Sequence, residues 1–125
     1  MCQKIDPLEK NSIILETNMI EQLLQGYTIR VGENQLENDS LLRSSEADDI
    51  WAHVSGKPSA HAVISNPTGK KVPRQVIKRA CCIVKSRSSS RSDKNVVFDV
   101  TRVKNVALSD VPGLVSIVGA SQVTI

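Results

Sequence analysis

Residues 73–87, PRQVIKRACCIVKSR, decide the fold. Proline at the first position of a helix presets φ and lacks only an N–H that would go unpaired there, so a helix begins at Pro73. At 100° per residue, Val76, Ile77, Ala80, Cys81, Ile83 and Val84 fall on one side. Arg74, Gln75, Lys78, Arg79, Cys82, Lys85 and Ser86 fall on the other. No carboxylate interrupts the polar side, so its cations lack i,i+4 partners. The apolar stripe must be buried, and the flanking segments indicate what covers it.

Those segments read as strands. Upstream, YTIRVG (27–32) alternates between Gly26 and Gly32. DDIWAHVS (48–55) and SAHAVIS (59–65), joined through Gly56, Lys57 and Pro58, form a predicted β-hairpin. NPTGKK (66–71) is turn chemistry. Downstream, VVFDVTRV (96–103) is a strong strand, and after the turn SDVPG (109–113), LVSIVGASQVTI (114–125) adds one or two more around Gly119. SIILET (12–17) reads as a further short strand, with a helix running on through NMIEQLLQ (18–25) as its rival. Leu36, Leu41 and Leu42 are too sparse for a long helix and predict a short one capped by Asn38 or Asp39. SRSSSRSDKN (86–95) is low-complexity and predicts a mobile loop. The expected class is α+β: a mostly antiparallel sheet with one principal amphipathic basic helix, about 73–87, packed on one face. Residues 1–11 are expected to form a flexible N-terminus and 12–125 a single domain.

Composition narrows the function classes. With 125 residues and 40% apolar content, the chain suits one soluble globular domain. No apolar run approaches the roughly 18 residues of a membrane span, and MCQKIDPLEK has no signal-peptide apolar region. Three Cys, two of them adjacent, do not make a disulfide framework, so a reducing cytoplasmic or nuclear setting is expected. Charge is unevenly placed. Residues 1–66 carry five basic and ten acidic groups, a balance of −5, whereas residues 67–125 carry eleven and three, a balance of +8. Such asymmetry suits a surface that faces a polyanion.

The hairpin holds the chain's only Trp and both His. Strand parity puts Asp49, Trp51 and His53 on one side of the first strand, and Ser59, His61 and Val63 on one side of the second. The three rings are therefore expected to cluster on one sheet face, as cleft or as core, and an Asp49–His53 contact is open to them. A structural zinc site wants four His or Cys ligands at close spacing, which His53, His61 and the cysteines do not offer, so no metal is expected. The zinc-deaminase signature, the phosphate loop, G-x-S-x-G and H-E-x-x-H are all absent. No catalytic residue or cofactor is expected.

Taken in order, GYTIRVG, ENQLENDSLL, DDIWAHVSGKPSAH, the basic helix, NVVFDVT and VPGLV resemble the NFACT-R domain family of NEMF- and RqcH-type ribosome quality control proteins. The resemblance runs from Tyr27 to Ile125 and is nearest to small eukaryotic versions that carry a coiled coil. Asp49 to His53 with Ser59 to His61 carry most of it, supported by Gly32, Asn38, Pro112 and Gly113. Ala52 stands where a larger apolar residue is common in the family. The resemblance implies a nucleic-acid-binding module, chiefly for RNA, and not an enzyme.

The expected function is thus binding of structured RNA, tRNA or rRNA, without sequence specificity, with the ribosome a candidate partner. Lys70, Lys71, Arg74, Lys78, Arg79, Lys85, Arg87, Arg91 and Lys94 would supply phosphate contacts, about five of which give a log-affinity against log-salt slope of about −3.5 to −4.5. Asp49, Trp51, His53 and His61 are the cleft candidates, able to stack one base or sugar, with part-protonated His adding charge near pH 6.5. With only Tyr27, Trp51 and Phe98 as aromatic residues, backbone and shape recognition is favoured over base reading. The alternative is a protein-interaction adaptor using the acidic half, where Glu46, Asp48 and Asp49 cluster.

Overall fold

The computed structural model describes residues 19–112 and 114–125. The expected N-terminal tail and the strand at 12–17 lie outside the described residues. Strand β1 (Ile20–Leu24) replaces the helix weighed for NMIEQLLQ. It turns straight into β2 (Tyr27–Gly32) through Gln25 and Gly26, both at positive φ (52° and 84°). That two-residue turn follows the right-handed twist of the strands and fixes Leu24 opposite Tyr27.

Helix α1 (Gln35–Arg43) follows. Its cap is Asn34, not Asn38 or Asp39. The Asn34 side chain accepts from Glu37 N at 2.9 Å, and Glu37 Oε1 accepts from Glu33 N at 2.9 Å, a reciprocal arrangement close to a capping box. Asn38 therefore lies inside the helix and reaches outward: its Oδ1 accepts from His61 N at 3.1 Å. Gly32 permits this closeness, since a Cβ there would stand 2.8 Å from Asn38 Oδ1.

The hairpin β3 (Ile50–Val54) and β4 (His61–Ile64) pairs as parity predicts, Trp51 opposite Val63 and Ala52 opposite Ala62. Helix α2 (Arg74–Ser86) is the predicted basic helix, with Pro73 at its N-cap. Strand β5 (Val97–Arg102) leads through a single 3-10 turn into a two-stranded ribbon, β6 (Val106–Leu108) and β7 (Val115–Ile117). Strand β8 (Ser121–Thr124) then returns to pair with β5. The main sheet runs β1-β2-β4-β3-β5-β8, every neighbouring pair antiparallel. The α+β expectation therefore stands.

Two apolar layers flank this sheet. On one face, Ile29, Val31, Ile50, Ala52, Ala62, Ile64 and Phe98 meet Val76, Ala80, Cys81 and Val84 of α2. On the other, Trp51 and Val63 meet Leu41 and Leu42 of α1 and the inner side of the ribbon. Sequence periodicity anticipates the first layer only. The second depends on a ribbon whose strands, three residues each, are too short to show a period.

The predicted mobile loop after α2 is a hydrogen-bonded run of turns. Ser88 Oγ donates to Lys85 O at 2.8 Å and accepts from Ser90 N at 3.1 Å, and both serines are buried. Short hydroxylated side chains bond to nearby backbone readily, so a serine-rich run can be ordered.

Candidate nucleic-acid interface

The outer face of α2 is the most concentrated cationic surface. Arg74, Lys78 and Arg79 are exposed, and Lys70 and Lys71 precede them in exposed positions. The helix bears no acidic residue. Among the described residues no ion pair engages Lys70, Lys71, Arg74, Lys78, Arg91 or Lys94. The other expected contacts are partly committed. Arg79 Nε donates to Gln22 Oε1 at 2.6 Å, Lys85 Nζ to Ile125 O at 3.4 Å, and Arg87 pairs with Glu33 at 3.3 Å.

The rings gather on the opposite side of the sheet. Gln122, Asp99, His53, His61 and Gly32 form one lateral row: Gln122 pairs with Asp99, Asp99 with His53, and His61 with Gly32. Trp51 lies behind this row, stacked on His53 with centroids 5.5 Å apart and planes 16° from parallel. His61 stands edge-on to both rings, 5.4 Å from Trp51 and 4.8 Å from His53. Trp51 Nε1–H donates to His61 Nδ1 at 3.3 Å. Nδ1 is thereby an acceptor, which puts the His61 proton on Nε2. In front of the row opens a cavity of about 460 Å³, bounded by the Gly56–Ser59 loop, Asn38, and Leu114 and Ile117 of the ribbon segment.

Several expectations change here. Asp49 does not meet His53: its carboxylate is buried and accepts from Asn66 N at 2.8 Å and Glu46 N at 2.9 Å, pinning two loops. The carboxylate beside His53 is Asp99, across the strand pair. Trp51 is 1% exposed and spends one ring face on His53, so it cannot stack a base; of the three rings only His53 is half-exposed. The imidazoles also carry less charge near pH 6.5 than free ones would. Burial, with His53 close by, pushes His61 down to about 3. Burial also lowers His53, with Asp99 partly opposing. Finally, helix and ring cluster lie on opposite faces of the sheet.

The sequence carries a signal for Asp99: it is the one acid in VVFDVTRV, on the Val97 and Thr101 side and away from Phe98 and Val100. Lys57 at the cavity rim and the ribbon's Leu114 and Ile117 carry no such signal. Among the described residues no group of three or more His, Cys, Asp or Glu side chains gathers to hold a metal ion.

Residues 19–120 match the NFACT protein RNA binding domain. The chain belongs to the NFACT-R family. This family is a nucleic-acid-binding one, not one defined by catalysis. The NFACT-R chain is 32% identical over 78 residues to coiled-coil domain-containing protein 25 of Mus musculus, covering 58% of this chain and 38% of that protein. It is 33% identical over 82 residues to the Rqc2 homolog RqcH of Bacillus subtilis, covering 65% and 14%. The chain thus corresponds to well under half the length of these relatives. Its fold matches the C-terminal part of the fibronectin/fibrinogen-binding protein of Streptococcus suis, with a TM-score of 0.78 at 22% identity over 95% of this chain and 49% of that one. Within the NFACT-R domain, the motif residues have structural work: Gly32 and Asn38 dock α1, Asp49 ties loops, and Trp51 fixes His61.

Proposed function

We propose that this NFACT-R domain binds the phosphate backbone of structured RNA, of the tRNA or rRNA kind, through the outer face of α2. The carrying observation is the uncompensated cationic face led by Lys71, Arg74 and Lys78. Its placement is electrostatically adverse for the helix itself. Positive side chains crowd the end of α2 where the backbone dipole is already positive, and Pro73 supplies no capping side chain. A phosphate at that end relieves both repulsions. A surface that violates helix electrostatics while leaving its cations free is the pattern expected of a polyanion contact. The aromatic side chains agree: Phe98 and Trp51 are buried and Tyr27 packs on the core, which leaves no row of stacking platforms for reading sequence.

Lys71→Glu, Arg74→Glu and Lys78→Glu combined test this reading, because all three side chains are exposed and the fold does not depend on them. Binding to a structured RNA at ~100 mM salt should be lost, and the residual salt slope should fall by about 2 to 3 as three phosphate contacts disappear. Unchanged affinity in a folded variant refutes it.

The adaptor reading gains one observation and loses another. Val111, Leu114 and Val118 beside the ribbon are 50–67% exposed, an apolar surface suited to a protein. The acidic cluster, however, is largely consumed: Asp49 is buried, and Asp48 pairs with Arg102 at 3.0 Å and Lys104 at 3.6 Å. Partner capture that survives nuclease treatment would favour this reading.

A further inference from the structure

The cavity over the Gln122–Asp99–His53–His61 row takes no part in the α2 contact. Its shape is set by a ring stack that stops one layer short. Trp51 and His53 are alternate residues of β3, parallel and side by side. Beyond His53 the strand runs out into the Gly56–Ser59 loop, and His53 and that loop both line the cavity. A flat ring inserted there becomes the third member of the stack. Leu114 and Ile117 supply an aliphatic cover.

The two flanks of that slot have opposite hydrogen-bonding sense. On the β4 side is His61, whose Nδ1 is taken by Trp51 and whose Nε2–H is the remaining donor. On the β5 side is Asp99, a half-exposed carboxylate whose Oδ1 accepts from Gln122 Nε2 at 3.3 Å. Its Oδ2 accepts no hydrogen bond among the described residues, and His53 is its charge neighbour. A carboxylate takes two adjacent N–H donors well, and of the four RNA bases only guanine carries two on neighbouring atoms, N1 and N2. Guanine also offers O6 and N7 as acceptors. At the rim stands Lys57, with Nζ 3.1 Å from Ser90 Oγ and 4.0 Å from an Asp93 oxygen, where a nucleotide's phosphate would leave the cavity.

We propose that this cavity binds a single unpaired guanine nucleotide, its base stacked on His53, its N1–H and N2–H edge on Asp99 and its phosphate toward Lys57. This deepens the RNA-binding reading and rests on it: α2 holds backbone, and the opposite face captures one extruded base, as unpaired bases in RNA are commonly read.

The test is a titration of the full chain with guanosine, adenosine, cytidine and uridine 5′-monophosphates. Fluorescence of Trp51, the chain's only Trp, reports on the stack, and amide NMR shifts locate the contact. Guanosine monophosphate should bind roughly tenfold more tightly than the other three, the discrimination of one good bidentate pair. Shifts should centre on His53, Gly56, Lys57 and Asp99. Asp99→Asn should abolish the preference. His53→Ala should weaken all four nucleotides, and His53→Phe, which keeps a ring, should retain stacking. Equal affinity for all four, shifts elsewhere, or an unaltered preference in folded Asp99→Asn would overturn the proposal. The α2 triple variant separates the two readings. It should lose structured RNA yet keep guanosine monophosphate, whereas Asp99→Asn should keep fully paired RNA.

Discussion

Acid should destabilise this domain through His61, and the size of the effect follows from the site. His61 is 3% exposed, its Nδ1 is held by the Trp51 N–H, and its folded-state pKa is about 3 against an ordinary 6.5. Below pH 6.5 the unfolded chain takes up a proton that the folded chain refuses. Stability due to this group is complete above pH 6.5 and is lost as pH falls toward 3, at about 1.36 kcal/mol per pH unit. Between pH 7.5 and 4.5 the loss is about 2.7 kcal/mol, a large share of the ~5–15 kcal/mol that holds a typical domain. His53, also lowered by burial, adds to it with the same sign.

The assay is urea unfolding followed by Trp51 fluorescence at pH 7.5, 6.5, 5.5 and 4.5. Carboxylates titrate in the same interval, so the decisive quantity is the difference between wild type and His61→Gln. The Gln carbonyl can still accept from Trp51 but takes no proton. Its stability should fall less steeply with acid, by about 1.36 kcal/mol per unit below pH 6.5. Equal slopes in the two proteins, or an imidazole NMR titration of His61 centred near 6.5, would refute the assignment of a buried, Nε2-protonated ring.

One further substitution and one chemical reaction bear on the scaffold. Gly32→Ala should cost about 1–3 kcal/mol, since its Cβ would meet Asn38 Oδ1 at 2.8 Å and Asn38 N at 3.0 Å, and the backbone of α1 can yield only by moving off the sheet; urea midpoints measure this, and an unchanged midpoint contradicts it. Iodoacetamide at pH 7.5 should alkylate exposed Cys82 and spare Cys81, which is fully buried and whose thiol burial, with Cys82 beside it, pushes up to about 12; peptide mapping that finds Cys81 modified in the folded chain would contradict the packing of α2.

What the sequence disclosed depended on period and parity. Helix α2 was legible because thirteen residues are enough for a stripe and a turn-compatible Pro marks the start. The Trp51, His53 and His61 cluster was legible because alternation fixes the face of a strand residue whatever lies above it. Neither rule says what covers that face. The second layer is assembled from α1 and the ribbon through non-local contacts, and these decide that Trp51 is core while His53 is left at a cavity. The same limit misplaced Asp49. It stands just ahead of β3, within reach of the Asn66 and Glu46 amides rather than His53. The α1 cap was missed for a different reason: Asn34, Asn38 and Asp39 all suit a cap, and only the Glu37 back-bond to Glu33 chooses among them.

The opposed placement of α2 and the cavity bears on how one RNA can use both. Packed layers of secondary structure stand about 8–10 Å apart, so no straight element touches the outer side of α2 and the far face of the sheet at once. The route between them runs around the end of α2. There the turns of residues 86–95 carry Arg87, Arg91 and Lys94, and Ser90 and Asp93 of the same turns contact Lys57 at the cavity rim. Arg87 is tied to Glu33, which leaves exposed Arg91 and Lys94 as the cations that join the helix surface to the rim. Ordered serine turns, rather than a mobile loop, make this a fixed path. An RNA that lays its backbone on α2 and curves past these two side chains arrives at Lys57 with its next unpaired base directed at His53. On this geometry Arg91→Glu with Lys94→Glu should leave both the α2 contact with paired RNA and the binding of guanosine monophosphate intact. It should weaken only RNAs that present a helix and an unpaired guanine together. Equal losses for paired and mixed RNAs would place these cations on the α2 surface and break the connection between the two faces.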